Sequence, residues 1–362
     1  MSAPPVVPAA TPAAAVGGPP KSARLAVLGA SGYAGGEFIR LAVAHPGLTV
    51  VAAVSRDAAS TSFDALVPGV DPRAEKLPVV VDIDGLVALL EDGALDTLVT
   101  CLPHGAWRTL AAERPALAAT PVRILDLSSD HRDGSAGYRY GLPEAFRTTL
   151  TGATHIANPG CYATAAALAL LPAAETGALG GDVTVVALSG ATGAGRSTAA
   201  RTQFVELDGG AAFYKVGSEH PHVVEMERTL AALRPAGAGL AAPAVGFAPS
   251  LVPMARGILL TAQAALTTPL SPAEARALYA RRYDDEPFVR LLPLGQWPET
   301  RAVRSSNRCD VQVTTLFGGR TLLATAAIDN LGKGAAGQAL QNLNLALGWP
   351  ETTALQRHGQ AW

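Results

Sequence analysis

The stretch Leu25-Ala-Val-Leu-Gly-Ala-Ser-Gly-Tyr-Ala-Gly-Gly-Glu37 decides the fold. Its apolar start predicts a buried strand, its glycine-rich middle predicts a turn, and residues 38–44 predict a helix, so it opens a βαβ unit. Glycines at such a turn let the backbone approach a pyrophosphate, which the helix N-terminus then binds. The spacing is G-x-x-G-x-x-G instead of G-x-G-x-x-G, so an ordinary glycine-rich turn stays the alternative. We expect the cofactor contacts at Gly29, Ser31, Gly32, Tyr33 and Ala34.

The second predicted strand, Leu48–Val54, indicates which dinucleotide is bound. An NAD site carries an acidic residue at this strand end, which binds the 2′-hydroxyl of the ribose. This chain has Ser55 and Arg56 there, with Asp57 just beyond. A hydroxyl and a guanidinium suit a 2′-phosphate, so we predict NADP, with a solvated loop arginine as the alternative.

Three further apolar runs predict more strands of this sheet: residues 77–81, 97–102 and 123–127. Pro103 and His104 follow the second run, at the strand end where ligands of such folds bind. We assign Pro103 to the cofactor site, whereas His104 either lines the same cleft or caps the next helix. Arg132 follows the third run, and it would bind an oxyanion through two hydrogen bonds or pair with Asp130 or Asp133.

A cysteine stands at a second turn-to-helix junction, Asn158-Pro-Gly-Cys-Tyr-Ala-Thr164. The Pro-Gly pair favours a turn, and the Ala- and Leu-rich residues 161–171 predict a helix that Pro172 ends. A cysteine in the first helical turn faces unpaired N–H groups and the positive end of the helix dipole, which favour the reactive thiolate. We therefore predict that Cys161 is a nucleophile, with a buried inert cysteine as the alternative.

A second glycine-rich loop, residues 189–196, follows a strand predicted at residues 182–188. Its backbone N–H groups can approach a phosphate or the nicotinamide end of a cofactor, although a flexible hinge is the alternative. From this loop we assign Ser189, Gly190 and Gly193 to the cofactor site. Arg196, at the end of the loop, is a candidate for binding a phosphate or carboxylate.

Two histidines, His220 and His222, precede a predicted helix. Zinc needs three or four ligands, and no other His or Cys cluster has a suitable spacing, so we predict no metal site. A histidine that pairs with the cysteine nucleophile is a more economical interpretation, because a thiolate–imidazolium pair needs one residue of each kind. Two structural histidines are the alternative.

The fold class predicted for the whole chain is α/β, with an N-terminal Rossmann domain and an α+β catalytic domain. The second domain has a mixed, largely antiparallel sheet with a hairpin at 309–328, and a helix whose capping box is Ser271 and Glu274. A last helix, 335–347, is expected to pack back on the first domain. The predicted organisation is a disordered tail at 1–22, an NADP-binding domain at 23–158 with 330–362, and a catalytic and oligomerisation domain at 159–329.

Composition excludes several classes of protein. The 362 residues carry a net charge of −2, which favours neither nucleic acid nor an anionic membrane as a partner. Three cysteines argue against a disulfide framework, and Cys101 and Cys309 have the apolar surroundings of inert thiols. No apolar run reaches the length of a membrane span, and the N-terminus lacks the features of a signal peptide. We expect a cytoplasmic enzyme.

Residues 24–351 resemble the N-acetyl-gamma-glutamyl-phosphate reductases, a family within the aspartate-semialdehyde dehydrogenase-like superfamily. The resemblance lies in many ordered runs rather than in one motif. The matching runs are 29–37, 102–105, 140–144, 158–162, 189–196, 220–222, 329–334 and 342–350.

This resemblance implies an NADP-dependent oxidoreductase of arginine biosynthesis. It would reduce N-acetyl-gamma-glutamyl phosphate to the semialdehyde and phosphate through a thioester on Cys161, with His220 as acid and base, and it would be a homo-oligomer, a dimer or tetramer. Further site residues are implied, Asn330 for the cofactor and the following for the substrate: Arg132, Asn158, Arg196 and Glu225. The alternatives are the same chemistry on an aminoadipyl or aspartyl phosphate, and an NADP-binding sensor without activity.

Two departures from the family pattern concern substrate contacts. Pro221 stands between the two histidines, where the family usually has arginine, and His131 stands before Arg132, where it usually has phenylalanine. Neither change removes a chemical group that the mechanism needs. An arginine between the histidines would help to bind a carboxylate or phosphate, so Pro221 puts that contact in doubt.

Overall fold

The computed structural model describes residues 21–56, 61–71, 73, 77–196, 202–236, 239 and 241–360. Asp57 and nearly all of the predicted tail lie outside these residues. Sheet A contains β1 (Ala23–Leu28), β2 (Leu48–Val54), β3 (Val79–Val81), β4 (Thr97–Thr100), β5 (Arg123–Asp126), β6 (Arg139–Tyr140) and β7 (His155–Ala157). Its helices are α1 (Tyr33–Ala42), α2 (Phe63–Leu66), α3 (Ile83–Glu91), α4 (Ala106–Glu113), α5 (Pro115–Ala118) and α6 (Pro143–Leu150).

Sheet A is a parallel sheet of the Rossmann type, as the sequence predicted. Its strand order is β3-β2-β1-β4-β5-β7-β6, and every neighbouring pair is parallel. The order reverses between β1 and β4, and ligands of such sheets bind in the crevice at that point. The glycine-rich turn after β1 and Pro103 after β4 both lie at this crevice.

Helix α1 begins at Tyr33, so the predicted start at residue 38 is wrong. Gly32 is its N-cap, and the glycines that follow form the first helical turn instead of a loop. Gly35 tolerates no side chain, because a Cβ there would lie 2.4 Å from the carbonyl oxygen of Gly29. Tight packing of the helix on the preceding turn therefore requires glycine inside the helix, despite its low helix propensity.

The second domain is built on a mixed sheet, sheet B, as predicted. Its strands are β8 (Leu179–Ser189), β9 (Ala212–Phe213), β10 (Val245–Leu251), β11 (Ile258–Leu266), β12 (Val289–Leu291), β13 (Cys309–Leu316) and β14 (Thr321–Ile328). The order is β12-β13-β14-β11-β8-β10-β9, in which the pairs β12–β13 and β10–β8 are parallel and the other four are antiparallel. The remaining helices are α7 (Cys161–Glu175), α8 (Phe204–Leu207), α9 (His222–Leu233), α10 (Pro272–Tyr283), α11 (Thr300–Val303) and α12 (Gly337–Leu347).

Helix α7 continues through Pro172 to Glu175, so the predicted stop at Pro172 is wrong. A proline inside a helix leaves the carbonyl four residues earlier without its N–H donor. Here the hydroxyl of Tyr283 donates to that carbonyl, of Leu168, and Tyr279 donates to the neighbouring carbonyl of Ala169 at 2.6 Å. Because α10 supplies both hydroxyls, tertiary contacts compensate for the N–H donor that Pro172 lacks. The helix therefore continues past the proline at which the local sequence predicted its end.

Helix α12 packs against α1 and the core of sheet A, as its position in the sequence predicted. Leu340, Leu343 and Leu347 join the same buried cluster as Leu25 and Phe38. A wide helical turn, Gly332–Ala336, leads into α12. The predicted capping box at the start of α10 is also present. Within the described ranges, no helix combines the length and apolar character that a membrane crossing needs.

Candidate active site

Cys161 lies at the boundary of the two sheets. Strand β7 of sheet A ends at Ala157, and Cys161 is the first residue of α7, which packs on sheet B. The turn Gly332–Ala336 closes over the cysteine so tightly that a Cβ on Gly334 would lie 2.8 Å from the Cβ of Cys161. The N-cap Gly160 is equally confined, since a Cβ there would lie 2.3 Å from Nε2 of His222. The position of the thiol is thus fixed from two sides.

The surroundings of Cys161 oppose the thiolate that its place at a helix start was expected to favour. Burial raises the pKa of the Cys161 thiol to about 11, and the positive charge of Arg132 and the backbone N–H groups of Tyr162 and Cys161 oppose this only in part. The helix N-terminus acts in the predicted direction, but desolvation is the larger effect. Activation of the sulfur therefore depends on what enters the site.

The surroundings of His220 favour a neutral imidazole and one tautomer. Burial is the main cause of a lowered pKa, and together with the charges of Lys215 and His104 it brings the pKa of His220 to about 4. Its Nδ1 accepts a hydrogen bond of 3.2 Å from the backbone N–H of His222, so Nε2 carries the proton. These pKa shifts favour a thiol and a neutral ring before substrate binds, and the predicted thiolate–imidazolium pair stays a prediction.

Aromatic rings hold His220 against the first turn of α7. Tyr162 follows the cysteine in the chain, and its ring meets that of His220 edge-on at 5.5 Å. Phe247 and Tyr214 contact the same imidazole at 5.1 Å and 5.8 Å, and the hydroxyls of Tyr162 and Tyr214 are hydrogen-bonded to each other. The structure therefore brings both predicted catalytic residues to one place.

Arg132 and Glu225 form a buried ion pair beside the nucleophile, with Nη1 and Oε2 2.9 Å apart and side-chain exposures of 7% and 5%. The other carboxylate oxygen of Glu225 accepts from the backbone N–H of Gly160 and from the hydroxyl of Tyr140, each at 2.8 Å. Arg132 also donates to the carbonyl of Asn158 at 2.9 Å. The alternative pairing of Arg132 with Asp130 or Asp133 is wrong, and the pair with Glu225 holds the turn before Cys161.

A second buried ion pair lies beneath the same turn. Lys333 and Glu144 are both fully buried, with Nζ and Oε1 2.6 Å apart. Asn158, 1% exposed, accepts from the side chain of Asn342 at 3.0 Å and donates to the carbonyl of Ala335 at 3.3 Å. Sequence reasoning assigned no role to Glu144 or Lys333. Both residues lie in runs that match the family, 140–144 and 329–334, but the sequence does not show that these two runs are in contact.

The Asp130 carboxylate, rather than His104, caps helix α4. It accepts from the backbone N–H groups of Gly105 at 2.6 Å and Arg108 at 2.9 Å. His104 Nδ1 instead accepts from the backbone N–H of Ser129 at 3.1 Å. Of the two alternatives for His104, the helix cap is therefore wrong, and the ring lies close enough to His220 to affect its pKa.

Lys215 is a candidate site residue that the sequence analysis missed. It follows Tyr214, is exposed, and has a left-handed backbone with φ of 46°. Such a conformation is strained for a lysine. Its charge contributes to the lowered pKa of His220 and of His222, so a cation faces the histidines although Pro221 replaces an arginine between them.

The first glycine-rich turn has the geometry of a phosphate cradle. A Cβ on Gly29 would lie 2.8 Å from the carbonyl oxygen of Cys101, so this residue must be glycine where β1 and β4 meet. Helix α1 has no side-chain cap and no acidic residue in its first turn, which leaves the N–H groups near Tyr33 and Ala34 for a ligand. Ser55, buried, and Arg56, exposed, follow β2 as predicted.

The second glycine-rich loop follows β8 and is anchored by Asn330. The Asn330 side chain donates to the Thr192 hydroxyl at 3.0 Å and accepts from the Gly257 backbone N–H at 2.7 Å. A Cβ on Gly190 would lie 2.7 Å from the carbonyl oxygen of Ala255. The remaining predicted residues complete this loop: Ser189 is buried and Gly193 lies beside its hydroxyl. The loop is held in place, which argues against a free hinge.

Arg196 does not join the cluster around Cys161. Its Nη1 donates to the carbonyl oxygen of Ser31 at 3.0 Å, so it spans from the second glycine-rich loop to the first. Of the two departures from the family pattern, His131 stacks on Tyr138 at 4.3 Å, and Pro221 precedes helix α9 as its N-cap. Substrate contacts of Arg132, Asn158, Arg196 and Glu225 stay predictions.

Comparison with known families covers nearly the whole chain. The family described as "Semialdehyde dehydrogenase, NAD binding domain" matches residues 24–153, and the family described as "Semialdehyde dehydrogenase, dimerisation domain" matches residues 161–330. N-acetyl-gamma-glutamyl-phosphate reductase from Salinispora tropica is 40% identical over 352 residues, which cover 93% of this chain and 98% of that protein. The reductase of the same name from Mycobacterium avium is 41% identical over 360 residues, with the same coverage.

Solved structures share the fold at low identity. Aspartate semialdehyde dehydrogenase II from Vibrio cholerae, complexed with ASA, has a TM-score of 0.69 at 15% identity and covers 90% of this chain and 98% of its own. Aspartate semialdehyde dehydrogenase with NADP from Candida albicans has a TM-score of 0.65 at 15% identity, with the same coverage. With the two matched families and the identity along the chain, these findings show that this chain belongs to the N-acetyl-gamma-glutamyl-phosphate reductase family.

Proposed function

We propose that this chain reduces N-acetyl-gamma-glutamyl phosphate to N-acetyl-glutamate semialdehyde and phosphate, with NADPH as reductant, in arginine biosynthesis. The observation that carries the proposal is the convergence of Cys161, His220 and two glycine-rich loops at the boundary of the sheets. The reductases named above support the substrate, since they are about 40% identical over 93% of the chain. The semialdehyde dehydrogenase family and the NADP-bound structural relative support the cofactor.

The residues present fit a dinucleotide. The uncapped N-terminus of α1 and the close approach enforced at Gly29 suit a pyrophosphate, and Ser55 with Arg56 suits a 2′-phosphate. We assign the opposite side of the cofactor site to the second glycine-rich loop and its anchor, namely Ser189, Gly190, Gly193 and Asn330. Pro103 lies at the crevice between the two glycine-rich loops. Bound NADPH supplies the hydride that converts an acyl thioester to the thiohemiacetal level.

The chain's own residues carry the remaining steps. Cys161 Sγ bonds to the acyl carbon, the bond from that carbon to the phosphate oxygen breaks, and the thiol proton leaves with phosphate. After reduction the C–S bond breaks, the aldehyde forms and sulfur departs as thiolate. His220 Nε2–H donates a hydrogen bond to the oxyanion and then to the departing thiolate, which takes its proton back from solvent.

Backbone donors for the oxyanion come from the first turn of α7. The N–H of Gly160 is engaged by Glu225, so the N–H groups of Cys161 and Tyr162, which already act on the thiol, are the donors. Arg132, Asn158 and Glu225 act through that turn as positioning residues, because their polar groups bind protein atoms. Lys215 supplies positive charge on the open side of the histidines.

The assembly and location of the enzyme are part of the proposal. We assign the cofactor to residues 23–158 and 330–362, and catalysis and self-association to residues 159–329, in a homodimer or homotetramer. The matched dimerisation domain supports this assignment. A cytoplasmic location suits three free thiols. Light scattering after size-exclusion chromatography measures the assembly, and a monomer at micromolar concentration would contradict it.

The reverse reaction tests the proposed function. Protein, N-acetyl-glutamate semialdehyde, phosphate and NADP are mixed, and NADPH absorbance is followed, with NAD and with aspartate and aminoadipate semialdehydes in parallel. Phosphate-dependent NADPH formation with the acetylated substrate is the expected result. Activity only with another semialdehyde would keep the chemistry and change the substrate. Absence of activity with all of them would leave an NADP-binding sensor.

A further inference from the structure

Arg196 makes a contact that no assigned role explains. It is exposed at the end of the second glycine-rich loop, and its guanidinium lies 3.0 Å from the carbonyl oxygen of Ser31 in the first loop. The two loops belong to different sheets, so this hydrogen bond crosses the cleft in which the cofactor is expected. The contact places the cation on the cofactor side and not among the residues around Cys161.

A neighbouring arginine, Arg256, shows how an arginine with a structural role joins the two sheets. Arg256 also joins the two sheets, but it is mostly buried and pairs with Glu37 of α1 and with Asp329, each at 2.9 Å. Arg196 has no carboxylate partner within the part of the chain that the structure describes, and its single hydrogen bond goes to a carbonyl. A guanidinium has five N–H donors, so most of those on Arg196 are open to a ligand.

The carbonyl that Arg196 contacts lies at the start of α1. Ser31 precedes the N-cap Gly32, and the first turn of the helix has neither a side-chain cap nor an acidic residue. A pyrophosphate at that N-terminus would lie between the helix N–H groups and the guanidinium of Arg196. We propose that Arg196 is a cofactor-binding residue, which donates to the pyrophosphate of the dinucleotide and ties the two glycine-rich loops together over it. This rests on the proposed function.

An arginine that binds the pyrophosphate can be distinguished from one that binds the 2′-phosphate and from one that binds substrate. The pyrophosphate is common to NADPH and NADH, so loss of Arg196 should weaken both to the same degree. A residue that binds the 2′-phosphate, as expected of Arg56, should affect NADPH alone. A residue that binds substrate should raise the KM for the acyl phosphate and leave the affinity for the dinucleotide unchanged.

The experiment measures the Kd of NADPH and of NADH by cofactor fluorescence, on the full chain without substrate. In Arg196→Ala we expect both Kd values to rise about tenfold or more, which is the effect of losing one charge-assisted hydrogen bond. Arg196→Lys keeps the charge and should recover part of the loss. Arg320→Ala, an exposed arginine in the hairpin at the far end of β13 and β14, is the control and should match the wild type.

Several outcomes would overturn the inference. Unchanged Kd values with a raised KM for the acyl phosphate would show that Arg196 binds substrate. A raised Kd of NADPH with an unchanged Kd of NADH would show that it binds the 2′-phosphate. A wild-type chain that binds neither dinucleotide would remove the proposed cofactor as well. A wild-type chain that binds both, beside an Arg196→Ala variant that binds them equally well, would contradict only this inference.

Discussion

The two sides of the proposed active site, the catalytic side around Cys161 and the cofactor side at the glycine-rich loops, are held together in different ways. Around Cys161, the pairs Arg132–Glu225 and Lys333–Glu144 are almost wholly buried, and each charge has its partner in the protein. On the cofactor side the backbone is fixed by glycines, while the cations Arg56 and Arg196 are exposed. The catalytic side is therefore organised before substrate arrives, whereas the cofactor side leaves its charges to a ligand. Variants on the first side should affect turnover or folding, and variants on the second should affect cofactor affinity.

The largest expected effect is on turnover, in Cys161→Ser. A serine hydroxyl is a far weaker nucleophile than a thiol, so kcat should fall by at least about 10⁴-fold. The Kd of NADPH should stay within about twofold, because the change lies on the catalytic side. Steady-state kinetics and fluorescence titration measure the two quantities. Cys309→Ala, at a buried cysteine in sheet B, is the control and should retain activity. A Cys161→Ser variant with a tenth of wild-type activity would rule out the nucleophile.

The next largest effect is on stability, in Lys333→Met. Removal of one partner leaves Glu144 with an unpaired charge in a fully buried position, and such changes cost about 3–5 kcal/mol. Denaturant unfolding at pH 7 measures the change in free energy. Arg114→Met, in an exposed pair with Asp84, is the control and should cost less than about 1 kcal/mol. Equal costs for the two variants would contradict the described burial. Adding Glu144→Gln to Lys333→Met should recover part of the loss.

A pH dependence is expected where the two sides meet, at Glu37. Burial by itself would raise the pKa of Glu37, but hydrogen bonds from Arg40 and Arg256 outweigh it and lower the pKa from 4.5 to about 2. A lowered pKa stabilises the folded state above pH 4.5, and this stabilisation is lost as the pH falls from 4.5 toward 2. Its size is about 3 kcal/mol at neutral pH.

The comparison of wild type with Glu37→Gln checks this pH dependence. The free energies of unfolding should differ by the full amount at pH 7 and should converge as the pH falls from 4.5 to about 2. Glu274→Gln, at the exposed capping box of α10, is the control, because the pKa of that carboxylate is also lowered but its surroundings are solvated. A difference between wild type and Glu37→Gln that does not change with pH would contradict the buried network.

The features that the sequence predicted correctly are those that neighbouring residues in the chain determine. The glycine-rich turn, the capping box at Ser271 and the position of Cys161 at a helix start depend on neighbouring residues, and the structure has all three. The continuation of α7 through Pro172 depends on hydroxyls from α10, and the raised pKa of Cys161 depends on burial, so neither is encoded locally. Glu144 and Lys333 are 189 residues apart in the chain, and their pairing becomes visible only in the fold.

The smallest expected effect is on cofactor choice, and it tests the open side of the cleft. Arg56 is exposed at the end of β2, where a guanidinium would face a 2′-phosphate but not a 2′-hydroxyl. In Arg56→Ala the Kd of NADPH should rise about tenfold, which corresponds to about 1.4 kcal/mol, while the Kd of NADH should not change. The ratio of the two values, measured by fluorescence, is the readout, and Arg320→Ala again serves as control.

The stability of Arg56→Ala should equal that of the wild type, since Arg56 has no partner in the described part of the chain. If NADPH and NADH weaken together, Arg56 does not distinguish them, and the preference must come from Ser55. If Arg56→Ala unfolds more easily, the cofactor side is organised in advance like the catalytic side, and the contrast between them fails.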